Sequence, residues 1–437
     1  MTASYRKIRS GSSSYYTTEL IEDRVVDMPE RVGHSVSAMT ASSWIVAGRR
    51  REQASKALGI EPGAMFVSAD VSRMEALMGG WHPIDAAQAC DSSRRLVRNA
   101  GSMRRVALHD FTLSAPKSVS VLWAASDGPT RSAIEACQTE AAVVFVNTLA
   151  EHAAYSRQGR AGIHKTPCAV AGVLFNHRTS RADDPQLHTH CTVFNACIRV
   201  DGTTGALETL QMMQWMGAGA SLYHAQLAYG LASLGFSIKR AGRLFEVAGV
   251  PQGLCRAFSQ RRTRMARVAM DDLHQIRGGL DQSGTPPDAP SRRHMAAVAL
   301  KTRPPKRQTA MTQPELDRIW RPKLQAWQWG QKQVKLLTSM AITKPGPGLG
   351  TSANLKARPE SYTLPPRSMD SLPHRVVTNA VRYMGEASAH DILSWTLANK
   401  NQGLGSKLVL PGPVESKSLQ ETFTDHTDEQ VAIPSAT

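Results

Sequence analysis

The sequence predicts an α+β chain, on three observations. Two apolar, β-prone stretches, Ala169-Val-Ala-Gly-Val-Leu-Phe-Asn and Cys191-Thr-Val-Phe-Asn-Ala-Cys-Ile-Arg-Val, flank the polar segment His177 to His190 and read as two strands joined by a loop. A third such stretch, from Arg105 to Leu113, runs into Ser114-Ala-Pro-Lys117 and then into the apolar run Val119 to Ala125, a strand followed by a turn and a helix. Leu210 to Leu234 carries apolar residues at helical spacing, which gives a long, largely buried helix packed against those strands.

The elements follow in chain order. Ser12-Ser-Ser14 resembles a helix start, with Tyr15 and Tyr16 in its first turns. Arg49 to Leu58 reads as a short helix within a region of polar loops that extends to residue 104. Asp110 is a carboxylate inside an otherwise apolar strand and needs a partner. The Ser114–Ser118 turn, at a helix start and beside Lys117, is a candidate phosphate cradle. Residues i and i+2 of a strand share a face, so His188 and His190 point the same way. If the preceding strand pairs antiparallel, His177 joins them, and three imidazoles with open coordination positions suit a catalytic divalent metal. The Glu that a cupin would place after the His pair is absent, since Phe194 and Asn195 stand there, and no His-Glu-x-x-His occurs.

Asp201-Gly202 signals a hairpin after the histidine strand. In the helix beyond it, Trp215, Tyr223 and His224 read as core residues. Ser237-Ile-Lys and Leu244 to Val250 read as a further hairpin closing the sheet. A helix after Pro251 carries Arg261, Arg262, Arg264 and Arg267, a solvated face that could also meet a polyanion. Gly278 to Pro290 is a loop, Lys301-Thr-Arg-Pro-Pro-Lys-Arg307 is a second basic segment, and Leu316 to Lys335 reads as one Trp-rich helix. Lys344 to Pro366, rich in Pro, Gly and Ser, reads as a linker. A helix pair spans His374 to Asn399, and the polar, acidic stretch from Pro411 reads as disordered. The organisation expected is a domain over residues 1–340, a linker over 341–370, and a short helical remnant with a mostly disordered tail over 371–437.

Lys and Arg number 52 against 36 Asp and Glu, a net charge of +16. Residues 341–437 hold nine of each sign, so the whole excess lies in the first 340 residues. A basic body with a neutral tail points to a polyanionic partner. Six scattered Cys form neither a Cys-x-x-Cys pair nor a dense framework, which fits a reducing cytoplasm. No apolar run approaches 18 residues and the N-terminus has no signal-like apolar core, so neither membrane insertion nor export is expected.

Several segments together resemble the MobF family of conjugative relaxases, the group with TrwC- and TraI-type HUH endonuclease domains. They are Ser14-Tyr15-Tyr16, Asp110-Phe-Thr-Leu-Ser-Ala-Pro-Lys-Ser-Val-Ser-Val, and Phe175-Asn-His177-Arg-Thr-Ser-Arg with Asp-Pro-Gln-Leu-His188-Thr-His190. The likeness continues through Leu222-Tyr-His-Ala-Gln-Leu-Ala, Leu234-Gly-Phe and Ala299-Leu-Lys-Thr-Arg, and covers about residues 1–335. Each piece alone is weak; their order and separation are specific.

The resemblance implies an HUH-type antiparallel sheet of about five strands with flanking helices, the histidines on its inner face and helices on the other. It implies metal-dependent nicking and religation of one DNA strand at a plasmid transfer origin. Tyr15 would be the nucleophile that forms a 5′-phosphotyrosyl link, with Tyr16 beside it and Asp110 as base or as partner of a histidine. His177, His188 and His190 would hold one divalent ion, Mg or Mn with Zn as the alternative, and no ATP. Lys117, Arg178, Arg181, Arg261, Arg262 and Arg264 are the expected DNA contacts. Single-stranded or hairpin origin DNA, relaxosome accessory proteins and a type IV secretion coupling protein are the implied partners, in the cytoplasm of a bacterium carrying a plasmid or other mobile element.

The sequence departs from the family pattern twice. No Tyr occurs between Tyr16 and Tyr155, so the second tyrosine pair of four-tyrosine members is missing. No phosphate-binding Gly-x-x-x-x-Gly-Lys-Ser/Thr occurs either, the nearest phrase being Gly403-Leu-Gly-Ser-Lys407, so a relaxase without its motor is expected. The rival from another class is a non-catalytic origin-binding accessory protein or repressor. A metal-dependent hydrolase of small molecules fits the basic charge less well.

Overall fold

A computed structural model describes residues 3–12, 42–83, 94–279, 292–302, 311–342 and 371–399. Tyr15, Tyr16, the linker and the acidic tail lie outside them. The described elements belong to one compact unit, residues 1–400.

In chain order the first half contains β1 (Ala3–Arg9), β2 (Ser43–Gly48), α1 (Arg51–Leu58), α2 (Val71–Gly79), β3 (Val106–Ser114), α3 (Lys117–Ala125), α4 (Gly128–Ala153), β4 (Tyr155–Gln158), β5 (His164–Thr179) and β6 (Pro185–Arg199). The second half contains β7 (Thr204–Gly205), β8 (Leu207–Glu208), α5 (Thr209–Ser233), β9 (Ile238–Ala241), β10 (Leu244–Val247), α6 (Gln252–Ala257), α7 (Gln260–Gly279), α8 (Arg292–Lys301), α9 (Gln313–Ala326), α10 (Gln331–Ile342), α11 (Leu372–Arg382) and α12 (Ala389–Ala398).

The main sheet is antiparallel throughout and runs β1-β3-β6-β5, with β2 and β4 sharing the outer edge of β5. Five strands thus make its width as expected, and β4, β7 and β8 are short additions. β5 and β6 are longer than their apolar flanks suggested. They run through the histidines to Thr179 and from Pro185, leaving a tight turn in which Ser180 N–H donates to Asp184 O at 2.9 Å and Asp183 takes φ +55°. Gly172 on β5 is required by the neighbouring strand, because a Cβ there would lie 2.1 Å from Thr192 O.

Cross-strand partners share a face of the sheet. One face therefore carries Leu108, Asp110 and Thr112 of β3 beside Phe194, Thr192 and His190 of β6 and Phe175 of β5. Its lower half is apolar: Ile8, Trp44, Phe66, Phe175 and Phe194 form one core cluster with Met74 and Leu77 of α2 and Leu58 of α1. The opposite face packs against α4 and α5, where Phe111 meets Phe145 at 5.5 Å and Tyr223 is fully buried. The helices expected on the face away from the histidines are α4 and α5; α1 and α2 are an addition on the histidine face. The apolar half of the histidine face would otherwise be wet, and α1 and α2 cover it.

Two further expectations change. The β9–β10 hairpin does not close the main sheet but forms a two-stranded sheet of its own, anchored where Val247 N–H donates to Ser118 Oγ at 3.0 Å. The single helix read over 316–335 is two helices. Gln328 adopts φ +48° between them, and Trp329, 9% exposed, turns inward while its backbone N–H donates to Leu324 O at 2.9 Å. The helix pair read over 374–399 is α11 and α12. These two are joined by Asn379 Nδ2–H to Thr396 Oγ1 at 2.9 Å and to α5 by Ala389 N–H to Gln226 Oε1 at 3.0 Å. Trp215, Tyr223 and His224 are buried, as read from the sequence.

Candidate active site

The register of β5 against β6 sets His177 opposite His188, and His190 follows two residues along on the same face. Their ring centroids lie 5.1, 5.0 and 5.4 Å apart, and one ligand-capable nitrogen from each falls within 4.8 Å of the others. Asp110 places both carboxylate oxygens 3.0 Å from His190 Nδ1, and Thr112 Oγ1 lies 3.2 Å from the same atom. With its side chain 4% exposed, Asp110 accepts that ring proton and so directs the Nε2 lone pair of His190 outward. His188 Nδ1–H donates to Gln186 O at 2.9 Å, which selects the same tautomer. Burial, then the charge of His190, push His188 down to about 4, so it is a neutral imidazole at neutral pH. Three half-buried histidines whose ligand-capable nitrogens converge on one hairpin are a donor set that fits one divalent ion with positions left for a substrate oxygen.

The turn between the strands is held from outside. Asp184, 2% exposed, accepts from Gln260 N–H at 2.8 Å and from Gln260 Nε2–H at 2.7 Å, and Lys323 Nζ lies 3.5 Å away. Trp320 Nε1–H donates to Asp183 O at 2.7 Å. The hairpin that carries the histidines and the arginine helix α7 therefore share an anchor. Sequence reasoning missed it, although Asp184 stands inside the histidine motif. Nothing local points to Gln260 or Lys323.

The expected DNA contacts divide. Lys117 donates to Pro185 O at 2.8 Å, and burial pushes it down to about 8, so it braces the hairpin. In the turn of the expected phosphate cradle, Ser118 is buried and its Oγ accepts from Val247 N–H, as the buried Ser120 Oγ does from Leu187 N–H. Arg178 is paired with Glu135, through Nε at 2.8 Å and a second nitrogen at 3.2 Å. Glu135 also accepts from Trp123 Nε1–H at 2.9 Å. Arg181, at the hairpin turn, lies close enough to Arg261 at the start of α7 that, after burial, its charge lowers the Arg261 pKa. Arg262 and Arg264 are exposed on α7.

Tyr15 and Tyr16 fall outside the described residues. Tyr5, which the sequence did not single out, is no rival to them. It pairs with Phe111 and so lies on the face away from Asp110, its hydroxyl is 2.9 Å from His109 Nδ1, and burial pushes it up to about 12.

The family model for the TrwC relaxase matches residues 10–327. The chain belongs to the TrwC relaxase family. Two curated relatives, both the multifunctional conjugation protein TraI of Escherichia coli, are 33% identical over 186 residues (strain K12) and 31% identical over 188. Each match covers 39% of this chain, and the chain spans about a tenth of the length of these relatives. Among solved structures, a metal-bound complex of the conjugative relaxase TrwC with oriT DNA is 22% identical, with a TM-score of 0.58 over 75% of this chain and 99% of that one. TrwC with a 27-mer bearing the recognition hairpin and the cleavage site is 23% identical, with a TM-score of 0.55 over 75% and 99%. These likenesses fix the relaxase fold, and the family model fixes the family.

Proposed function

We propose that this relaxase nicks and rejoins one strand of plasmid DNA at a transfer origin, with Tyr15 as nucleophile and His177, His188 and His190 as ligands of one divalent ion, Mg or Mn with Zn as the alternative. The observation that carries the reading is the convergence of the three imidazoles, one of them oriented by Asp110. Tyr15 Oη forms a bond to the scissile phosphorus, the bond from phosphorus to the 3′ oxygen breaks, and the tyrosyl proton ends on that oxygen as a free 3′-OH. The ion, when bound, supplies positive charge against the nonbridging oxygens and eases ionisation of a phenol whose ordinary pKa is about 10. Asp110 acts by holding His190, since both of its oxygens face that ring. Reversal restores the strand without ATP, because the phosphotyrosyl bond conserves the energy of the phosphodiester.

Arg181 and Arg261, two cations brought together at the hairpin turn, and Arg262 and Arg264 beyond them, would bind backbone phosphates of single-stranded or hairpin origin DNA. Relaxosome accessory proteins and a type IV coupling protein are the proposed further partners, in the bacterial cytoplasm; among the described residues no helix is long and apolar enough to cross a membrane. A non-catalytic origin-binding protein does not account for the Asp110–His190 contact. The test is nicking of supercoiled DNA bearing the cognate origin, with and without divalent metal. If metal removal or the double change His188→Ala, His190→Ala leaves nicking unchanged, the reading fails.

A further inference from the structure

Behind the histidines, on the α4–α5 face of the sheet, runs a buried hydrogen-bond chain. Tyr223 Oη–H donates to Gln138 Oε1 at 2.8 Å, and Gln138 Nε2–H to Thr189 Oγ1 at 3.2 Å. Thr189 Oγ1–H donates to Asn176 Oδ1 at 2.7 Å, Asn176 Nδ2–H to Thr139 Oγ1 at 3.0 Å, and Thr139 Oγ1–H to Glu135 O at 3.0 Å. Along the path Gln138, Thr189, Asn176 and Thr139 each donate once and accept once, so the orientation of both amides is fixed by their neighbours. Tyr223 and Thr189 are fully buried and Gln138 is 3% exposed.

The chain meets the site at every histidine. Thr189 lies between His188 and His190, and Asn176 precedes His177. Asn176 and Thr189 are cross-strand partners on the rung next to His177 and His188, and the β5–β6 register becomes irregular just beyond, between His177 and Thr179. The backbone ladder thus weakens where three ligands must keep their spacing, and the side-chain clamp stands at that point. A one-sided hold would also leave the buried Thr189 with an unmet group.

We propose that Gln138, through Thr189 and Asn176, is a positioning residue for the metal ligands: it fixes the separation of His177 from His188 and His190 from the far side of the sheet. The proposal rests on the reading of the triad as a metal site. Groups that orient ligands without touching the metal commonly change affinity by about 10- to 100-fold.

The experiment uses the full chain and titrates Co(II), followed by its visible absorption, and Mn(II), followed by calorimetry, beside metal-free thermal melting. Gln138→Leu and Thr189→Val should weaken binding of both ions about tenfold or more and alter the Co(II) spectrum, and Thr189→Ser, which keeps the hydroxyl, should restore both. Gln226→Leu removes another buried glutamine, one that joins Glu140 to Ala389. It should lower the melting temperature with native metal affinity. Native affinity in folded Gln138→Leu and Thr189→Val would overturn the proposal. If Gln138→Leu does not fold, the comparison of Thr189→Val with Thr189→Ser decides, and equal affinity in those two overturns it. If the unaltered chain binds neither ion at the triad, the metal reading itself fails, a result separate from the first.

Discussion

His188 and His190 are held at Nδ1 by different acceptors, a backbone carbonyl and a carboxylate, and single substitutions should separate the two. Asp110→Asn keeps an oxygen acceptor but loses the charge, and should weaken metal binding about 10- to 100-fold while leaving the fold intact; calorimetric titration of the purified variant checks this. Tyr15→Phe keeps the ring and loses the attacking oxygen. It should bind origin DNA normally and form no covalent adduct, and mapping the DNA-linked peptide of the unaltered chain should return the segment Ser10–Arg24. A third effect is pH dependence of stability. Burial pushes His224 down to about 3, well below the ordinary value of about 6.5. The unfolded chain then binds more protons between those values, so stability is full above about 6.5 and falls as pH drops toward about 3. His224→Gln should flatten the melting temperature across that window. At this scale the histidines were legible because a strand repeats every two residues, and Asp110 because an acid in an apolar strand demands a partner. Glu135 was not legible: its hold on Arg178 and Trp123 joins residues that only the packing of α4 on the sheet brings together.

Helix α7 begins on the anchor that closes the histidine hairpin, so its arginines have a fixed place relative to the site. Changing Arg261, Arg262 and Arg264 to Ala should reduce the dependence of log K on log salt by about 0.7 for each single-strand phosphate no longer neutralised, and an unchanged slope would return these side chains to a solvated face. Asp184→Ala should reduce DNA binding and metal binding together, since it frees Gln260 and the turn at once; fluorescence anisotropy on an origin oligonucleotide and metal titration read the two effects. Several elements were readable from periodicity, among them α3 and α5. β1, β2, α2 and the 26-residue α4 were not read from the sequence, and two readings were misplaced. The α9–α10 break depends on Trp329 finding a buried place, which no helical pattern reveals. The β9–β10 pair has the pattern of any strand, and only the bond to Ser118 shows that it sits on α3 and not at a sheet edge.

For the whole molecule, the neutral charge beyond residue 340 sets the C-terminal segment apart from the basic body, yet packing does not break there. Val376, Ala380 and Ile392 are buried and α12 bonds to Gln226 of α5. A chain ending at residue 343 should therefore melt several degrees lower than one ending at residue 399, with Tyr15 and the three histidines present in both; calorimetry and a nicking assay on the two truncations check this. The overall architecture was readable mainly through the ordered series of motifs, since five strands this far apart in sequence do not declare their pairing locally. That distance has a kinetic consequence. The β5–β6 hairpin closes within residues 164–199, whereas β1 reaches its partner across a gap that sets Ala3 opposite Leu113. Local contacts form faster than those that must first close a long loop. On refolding, pulsed hydrogen exchange should protect the amides of β5 and β6 before those of β1. As a chain leaves the ribosome, its first strand waits unpaired until β3 has been made. The proposed metal site should thus form before the proposed covalent step becomes possible, because Tyr15 follows β1, the strand expected to pair last.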